Sequence, residues 1–287
     1  VPLDHTGHWY RYHHLFADLL RQQLAKSQPE LLPLLHRRAS EWFAKNGFPN
    51  EAVDHALAAQ DIERAAQLIE QATPSVLDRG EVVTFVRWLN ALPDEMIRSR
   101  PWLCVFHAWM LLVGGQAEAI EARLTDAEKA TRTLALPAQE ANRIQGYISS
   151  IRAHVAFIQG ARFDTIEYAR DALQKLSEPD HSIRSSTAMI LGATHGHTGD
   201  FSAAIQSFEK ARAIAQASGN RFSTLLASSA LAQLEVVCGR LNRAERIYRD
   251  ALRLIKTPDQ RWQSPGLGYA YVGLANVLYE WDQIQKA

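Results

Sequence analysis

Hydrophobic residues along this chain recur with the period of a helix. Apolar side chains stand at positions i, i+3, i+4 and i+7 through most of the sequence, and alternating strand patterns are almost absent. Alanine, leucine, glutamine, glutamate and arginine, which all favour helices, are frequent. The pattern therefore predicts an all-α protein.

A glycine followed by an alanine twelve residues later recurs along the chain. From the copy at Gly115 onward, successive copies are 39 to 45 residues apart, which is typical of helical repeat arrays, and Gly47 with Ala59 is an earlier, weaker instance. Glycine permits a chain reversal between two helices, so each copy predicts one pair of antiparallel helices. The pairs of small residues are Gly47 and Ala59, Gly115 and Ala127, Gly160 and Ala172, Gly199 and Ala211, and Gly239 and Ala251.

The copy at residues 191–211 resembles the tetratricopeptide repeat (TPR). Gly192 and Ala204 stand at the family's small positions, where two helices approach closely. Phe201 and Phe208 stand where aromatic side chains are expected to fill the gap to the neighbouring pair. The resemblance implies a right-handed superhelical array of antiparallel helix pairs, a TPR-like α-solenoid.

The first hundred residues carry a second and more specific resemblance. The stretch Trp9–Leu20 (WYRYHHLFADLL) closely resembles a signature of large bacterial ATP-dependent LuxR-type transcription activators, the family of maltose-regulon activators. Further matches follow in the expected order, at His36, Ala39, Trp42, Gly47, Glu51, His55, Trp88, Leu89, Leu92, Pro93, Arg100 and Pro101.

This resemblance implies the organisation of the chain. Residues 1–28 are the tail of a winged-helix segment, residues 29–100 form family-specific helical pairs, and residues 101–287 form TPR-like repeats with the last one truncated. We expect the chain to be a piece of a longer protein, in which a nucleotide-binding module precedes it and a DNA-reading domain follows.

The resemblance also assigns cofactor and partners. No G-x-x-x-x-G-K-[ST] loop occurs in the chain, so we expect ATP to bind only in the upstream module. His13 takes the place of a histidine that senses the nucleotide in related ATPases, although His14 replaces the family's aspartate. The alternative is that both histidines lie on the helix surface and have only packing roles. The upstream module and self-association are the implied protein contacts of the intact protein.

Composition and motifs argue against several classes of function. The chain has 31 basic and 31 acidic residues, whereas proteins that wrap nucleic acid normally carry a basic excess, so we expect no direct DNA binding. Two cysteines and the lack of an apolar run long enough to span a membrane indicate a cytoplasmic protein without membrane contact. The common catalytic motifs are missing from the sequence, so we expect no enzyme activity.

Two clusters of polar residues are candidates for other chemistry. His195 and His197 point to different sides of a helix, and therefore we expect no metal site. A row of five arginines follows one helix flank and predicts a solvated outer face, with contact to an acidic partner domain as the alternative. The row consists of Arg240, Arg243, Arg246, Arg249 and Arg253.

In TPR-like arrays the first helix of each pair lines a concave groove, and this rule selects the candidate ligand-binding residues. They are Trp109, Tyr147, Ser150, His154, Phe157, Met189, His197, Gln233, Tyr269 and Asn276. The complete projected stripe is rich in aromatic and neutral polar groups, with one glutamate, Glu280, and no lysine or arginine, which suits a neutral polyol, a sugar or an aromatic metabolite. The alternative is that several of the aromatic residues pack between helices.

Two functions are consistent with these patterns. The first is an effector-sensing domain of a bacterial transcription activator, which binds a small-molecule inducer in its groove. The alternative is a protein–protein interaction scaffold, in which the groove binds a peptide or a regulatory partner.

Overall fold

The computed structural model describes residues 14–78, 82–255 and 265–281, and these ranges contain fifteen helices and no strand. The chain divides into two compact units, Val1–Ile97 and Arg98–Ala287. None of the described helices is long and apolar enough to cross a membrane. The helices are α1 His14–Ser27, α2 Leu31–Lys45, α3 Pro49–Ala58, α4 Ile62–Asp78, α5 Val82–Asn90, α6 Asp94–Arg98, α7 Pro101–Val113, α8 Ala117–Thr133, α9 Ala138–Ile158, α10 Arg162–Lys175, α11 His181–His197, α12 Phe201–Ala217, α13 Arg221–Val237, α14 Leu241–Ile255 and α15 Pro265–Glu280.

The first unit is built from helices that pack in chain order, α2 on α3, α3 on α4 and α4 on α5. Its largest completely buried side chains are Trp88, Phe85 and Ile69. These three side chains belong to the buried core of the unit.

The second unit consists of helix pairs in sequence: α7 with α8, α9 with α10, α11 with α12, and α13 with α14. The first helices of successive pairs also pack on each other, so that α7, α9, α11, α13 and α15 form one row. The predicted all-α solenoid of antiparallel helix pairs is thereby confirmed.

Glycines at the turns between paired helices have the predicted left-handed backbone. Gly199 has φ +83° and Gly239 has φ +75°, a region that side chains with a Cβ rarely adopt. Gly47, Gly115 and Gly160 share this conformation. Their twelve-residue partners, the alanines from Ala59 to Ala251, are all buried. The predicted repeat register is therefore correct.

The two phenylalanines of the clearest repeat differ from the expectation. Phe208 is buried and lies against Gly192 of its own pair, where an added Cβ would come within 2.8 Å of the ring. Phe208 also belongs to a buried cluster with Leu225 and Leu231 of the next pair. Phe201 instead remains 39% exposed, and the prediction that it fills the gap between pairs is wrong. It is the first residue of α12.

Candidate ligand-binding site

A cavity of about 470 Å³ lies on the row of first helices in the second unit. Helices α13 and α15 contribute ten of its twelve lining residues, and α11 and α14 contribute one each, Met189 and Tyr248. Residues spaced three or four apart along α13 and α15 face the cavity, as expected for one stripe of a helix. The lining residues are Met189, Leu226, Ser229, Ala230, Gln233, Val236, Val237, Tyr248, Tyr269, Val272, Gly273 and Asn276.

The lining carries no charged side chain. Leucine, valine and methionine side chains form an apolar wall, and the exposed amides of Gln233 and Asn276 provide donors and acceptors beside it. Tyr269, which is 68% exposed, borders the cavity with a largely free aromatic ring. This arrangement suits an uncharged ligand that has an apolar face and a few hydrogen-bonding groups.

Tyr248 adds a polar group from the second helix of its pair. Its side chain is 3% exposed, and its hydroxyl donates to the backbone carbonyl of Ser229 at 3.4 Å. Burial raises the pKa of this phenol, which therefore stays protonated at neutral pH. The groove rule could not select Tyr248, because the rule considers first helices only.

Four of the ten predicted ligand-binding residues meet at this cavity: Met189, Gln233, Tyr269 and Asn276. Tyr147 and Ser150 lie elsewhere, between α9 and α11. The Tyr147 hydroxyl donates to Asp180 at 2.9 Å, and the Ser150 hydroxyl is 2.7 Å from that of Thr187. These two side chains therefore join neighbouring first helices.

His154 also joins α9 to α11. Its Nδ1 is 2.8 Å from the carbonyl of Ser150 and its Nε2 is 2.7 Å from the hydroxyl of Ser186. Burial lowers its pKa, so the imidazole is neutral at pH 7 and can donate through one nitrogen and accept through the other. The ring of Trp109 packs edge-on against it at 5.1 Å.

Phe157 and His197 stack with their ring centroids 6.0 Å apart, and His197 is exposed. His195 is buried, as expected for a packing residue, and burial lowers its pKa. Within the described ranges, no group of three metal-ligating side chains comes together. His13 lies outside the described residues.

A network around Asp180 was not predicted from the sequence. The side chain of Asp180 is 1% exposed and accepts hydrogen bonds from Arg143, Tyr147 and Ser177. The Arg143 guanidinium lies 4.8 Å from the ring of Trp102, so α7, α9 and the loop before α11 are held together. Burial alone would raise the pKa of Asp180, but its hydrogen bonds from Arg143 and Ser177 outweigh this effect and lower it.

The arginine row is mostly engaged in ion pairs. Arg240 and Arg243 both contact Glu235, whose side chain is completely buried. Arg243 also pairs with Glu209 of α12 at 2.7 Å. Arg249 pairs with Glu245 and Arg253 with Asp250 on the same helix. The row is therefore more than the solvated face that was predicted, because Arg240 and Arg243 neutralise the buried carboxylate of Glu235.

The chain is similar to transcriptional regulators over nearly its whole length. The chain is 25% identical over 285 residues to the HTH-type transcriptional regulator MalT of Serratia proteamaculans, covering 99% of this chain and 31% of that protein. It is also 25% identical over 286 residues to MalT of Vibrio cholerae, again covering 31% of it. The chain thus spans about a third of the length of these relatives.

A solved structure shares the fold. A signal transduction ATPase with numerous domains (STAND) protein with a tetratricopeptide repeat sensor, from Pyrococcus horikoshii, superimposes with a TM-score of 0.56 at 12% identity. The superposition covers 94% of this chain and 45% of the other.

Two family models match separate parts of the sequence. Residues 1–32 match the MalT winged helix domain, and residues 146–287 match the MalT-like TPR region. The two matches follow each other in this order, and they support a MalT-like TPR region in the second half of the chain and MalT winged-helix sequence at its start.

Proposed function

We propose that the chain is the effector-sensing region of a MalT-like transcription regulator, and that a small uncharged inducer binds in the cavity between α11, α13 and α15. The observation that carries this proposal is the uncharged lining of a cavity formed by three successive first helices. Similarity to transcriptional regulators supports the regulatory role.

The mechanism follows from the position of the cavity. A ligand that contacts Met189, Gln233 and Asn276 at once touches three helices of the array. Binding would favour the arrangement in which these helices are correctly spaced, and would thus shift the equilibrium between states of the intact protein. Tyr147, Ser150 and His154 position α11, the first wall of the site, against α9.

The remaining assignments belong to the intact protein. We propose that ATP binds in a module upstream of this chain, that His13 in the winged-helix sequence senses the nucleotide, and that self-association follows inducer binding. The protein acts in the cytoplasm, and this segment neither reads DNA nor catalyses a reaction. We also propose that the tail of the winged-helix segment ends at residue 28 and that the family-specific helical pairs end at residue 100.

Replacing Gln233 or Asn276 by alanine is expected to weaken inducer binding by at least about tenfold, which corresponds to roughly 1.4 kcal/mol. Each change removes an amide at the rim of the cavity without altering a buried side chain. A thermal-shift screen of sugars, polyols and aromatic metabolites would supply the ligand, and calorimetric titration would measure its affinity for each variant.

Gln206→Ala is the matched control, because Gln206 is an exposed amide on α12 that does not line the cavity. We expect it to bind the ligand as the parent does. Equal losses in all three variants would contradict the assignment of the cavity. A peptide that binds here while no small molecule does would favour the interaction scaffold.

A further inference from the structure

A second surface depression, of about 350 Å³, lies at the turn between α13 and α14. We call it the arginine corner and define it by Arg240, Arg243, Arg246, Asn242 and Trp281, which all line it. We propose that the arginine corner binds a small organic oxyanion, a phosphate or carboxylate attached to a ring.

Two of the three guanidinium groups are held in place by buried or half-buried carboxylates. Arg240 contacts Glu235 through its Nε, and Arg243 contacts Glu235 at 3.3 Å and Glu209 at 2.7 Å. A guanidinium has five N–H donors, so each of these arginines keeps donors that these contacts do not use. Their side chains are 47% and 42% exposed, which leaves those donors accessible.

The third guanidinium supplies the excess charge. Arg246 is exposed and forms no ion pair with any residue of the described ranges, whereas Arg249 and Arg253 of the same helix each have an acidic partner. Among the described residues, three guanidinium groups therefore lie at this site with two carboxylates, Glu235 and Glu209, as their ion-pair partners. The surplus positive charge favours an anion, and the planar N–H groups match the geometry of carboxylate and phosphate oxygens.

Trp281 indicates that the anionic group belongs to a ligand that also has a ring. Its half-buried indole borders the depression, so the ring of a ligand can lie against it while the anionic group reaches the arginines. The size of the depression fits a single ring with its anionic group. The inducer cavity has no charged lining, so the two sites select different ligands.

Phenyl phosphate and benzoate are suitable probes, because each joins one ring to one anionic group. We expect at least one of them to bind the whole chain saturably in calorimetric titration, and the better one identifies the preferred anion. Arg246→Gln is expected to weaken that binding by at least about tenfold, as for the loss of a charge-assisted hydrogen bond. Arg249→Gln, on the same helix but paired with Glu245, is the matched control and should change the affinity less than about twofold.

Three results would overturn the proposal: no saturable binding of either probe, equal weakening by Arg246→Gln and Arg249→Gln, or equally tight binding of uncharged benzyl alcohol. Inorganic phosphate should bind more weakly than phenyl phosphate, and Trp281→Leu should remove this difference. If the difference persists in Trp281→Leu, the role of the indole is refuted. Failure of these tests would leave the inducer cavity unaffected, since Gln233→Ala reports on that cavity alone.

Discussion

Replacing Arg143 by methionine is expected to lower the free energy of unfolding by about 3–5 kcal/mol. Arg143 donates two N–H groups to Asp180, at distances from 2.6 to 3.0 Å, and the Asp180 side chain is 1% exposed. Removal of the guanidinium leaves that carboxylate buried without its counter-ion. Methionine keeps an apolar stem beside Trp102, so the loss is mainly electrostatic. Urea titration at pH 7 measures it.

Two further variants separate this effect from general damage. Asp180→Asn in the Arg143→Met chain removes the uncompensated charge and should recover part of the lost stability. Arg87→Met also removes an arginine that joins two helices, but its side chain is 60% exposed and that of its partner Asp54 is 45% exposed, so we expect a loss below about 1 kcal/mol. Equal losses for Arg143→Met and Arg87→Met would contradict the importance of burial.

The pH dependence gives an independent measurement of the same network. The folded state lowers the pKa of Asp180, so the stabilisation is complete above the ordinary aspartate pKa of about 3.9 and is lost as the pH falls through the lower folded value. The stability of Asp180→Asn should therefore fall less steeply than that of the parent chain below about pH 4.

Phe208→Ala is expected to destabilise the second unit by about 3–5 kcal/mol. The ring is 6% exposed, fills the space beside Gly192, and belongs to the buried cluster that contains Leu225 and Leu231. Its removal leaves a cavity between two helix pairs, which the surrounding backbone can fill only partly. Urea titration of the whole chain would show the loss as a lower midpoint of the transition that reports on this unit.

Phe201→Ala is the control, because the same residue type is deleted seven positions earlier, where the ring is 39% exposed. We expect a clearly smaller cost than for Phe208→Ala, since the ring already has substantial contact with water in the folded chain. A larger loss for Phe201→Ala than for Phe208→Ala would show that the packing between pairs differs from that described.

The helical array could be predicted from the sequence because each repeat has small residues where geometry demands them. Gly199 adopts a positive φ, and Ala204 is completely buried where its two helices meet. Such positions depend on local backbone geometry and on contact within one helix pair. They are therefore visible in a single sequence.

The candidate site could be predicted only in part. Helical periodicity identifies the face on which Tyr147, His154 and Gln233 lie, but it does not show whether a neighbouring helix supplies a partner for each side chain. Gln233 remains exposed at the cavity, whereas Tyr147 bonds to Asp180 and His154 to Ser186. Asp180 lies in a loop outside the repeat pattern, so no periodic signal pointed to it.

The hydrogen bonds between α9 and α11 have a mechanical consequence. Three side-chain contacts, from Tyr147 to Asp180, from Ser150 to Thr187 and from His154 to Ser186, fix the register of these two neighbours. Across the described residues, no side-chain hydrogen bond joins α11 to α13 or α13 to α15, where apolar packing dominates. Polar side-chain contacts therefore join the first helices from α9 to α11 but not beyond. We expect changes in curvature along this row to be concentrated toward α15, where the proposed inducer cavity lies.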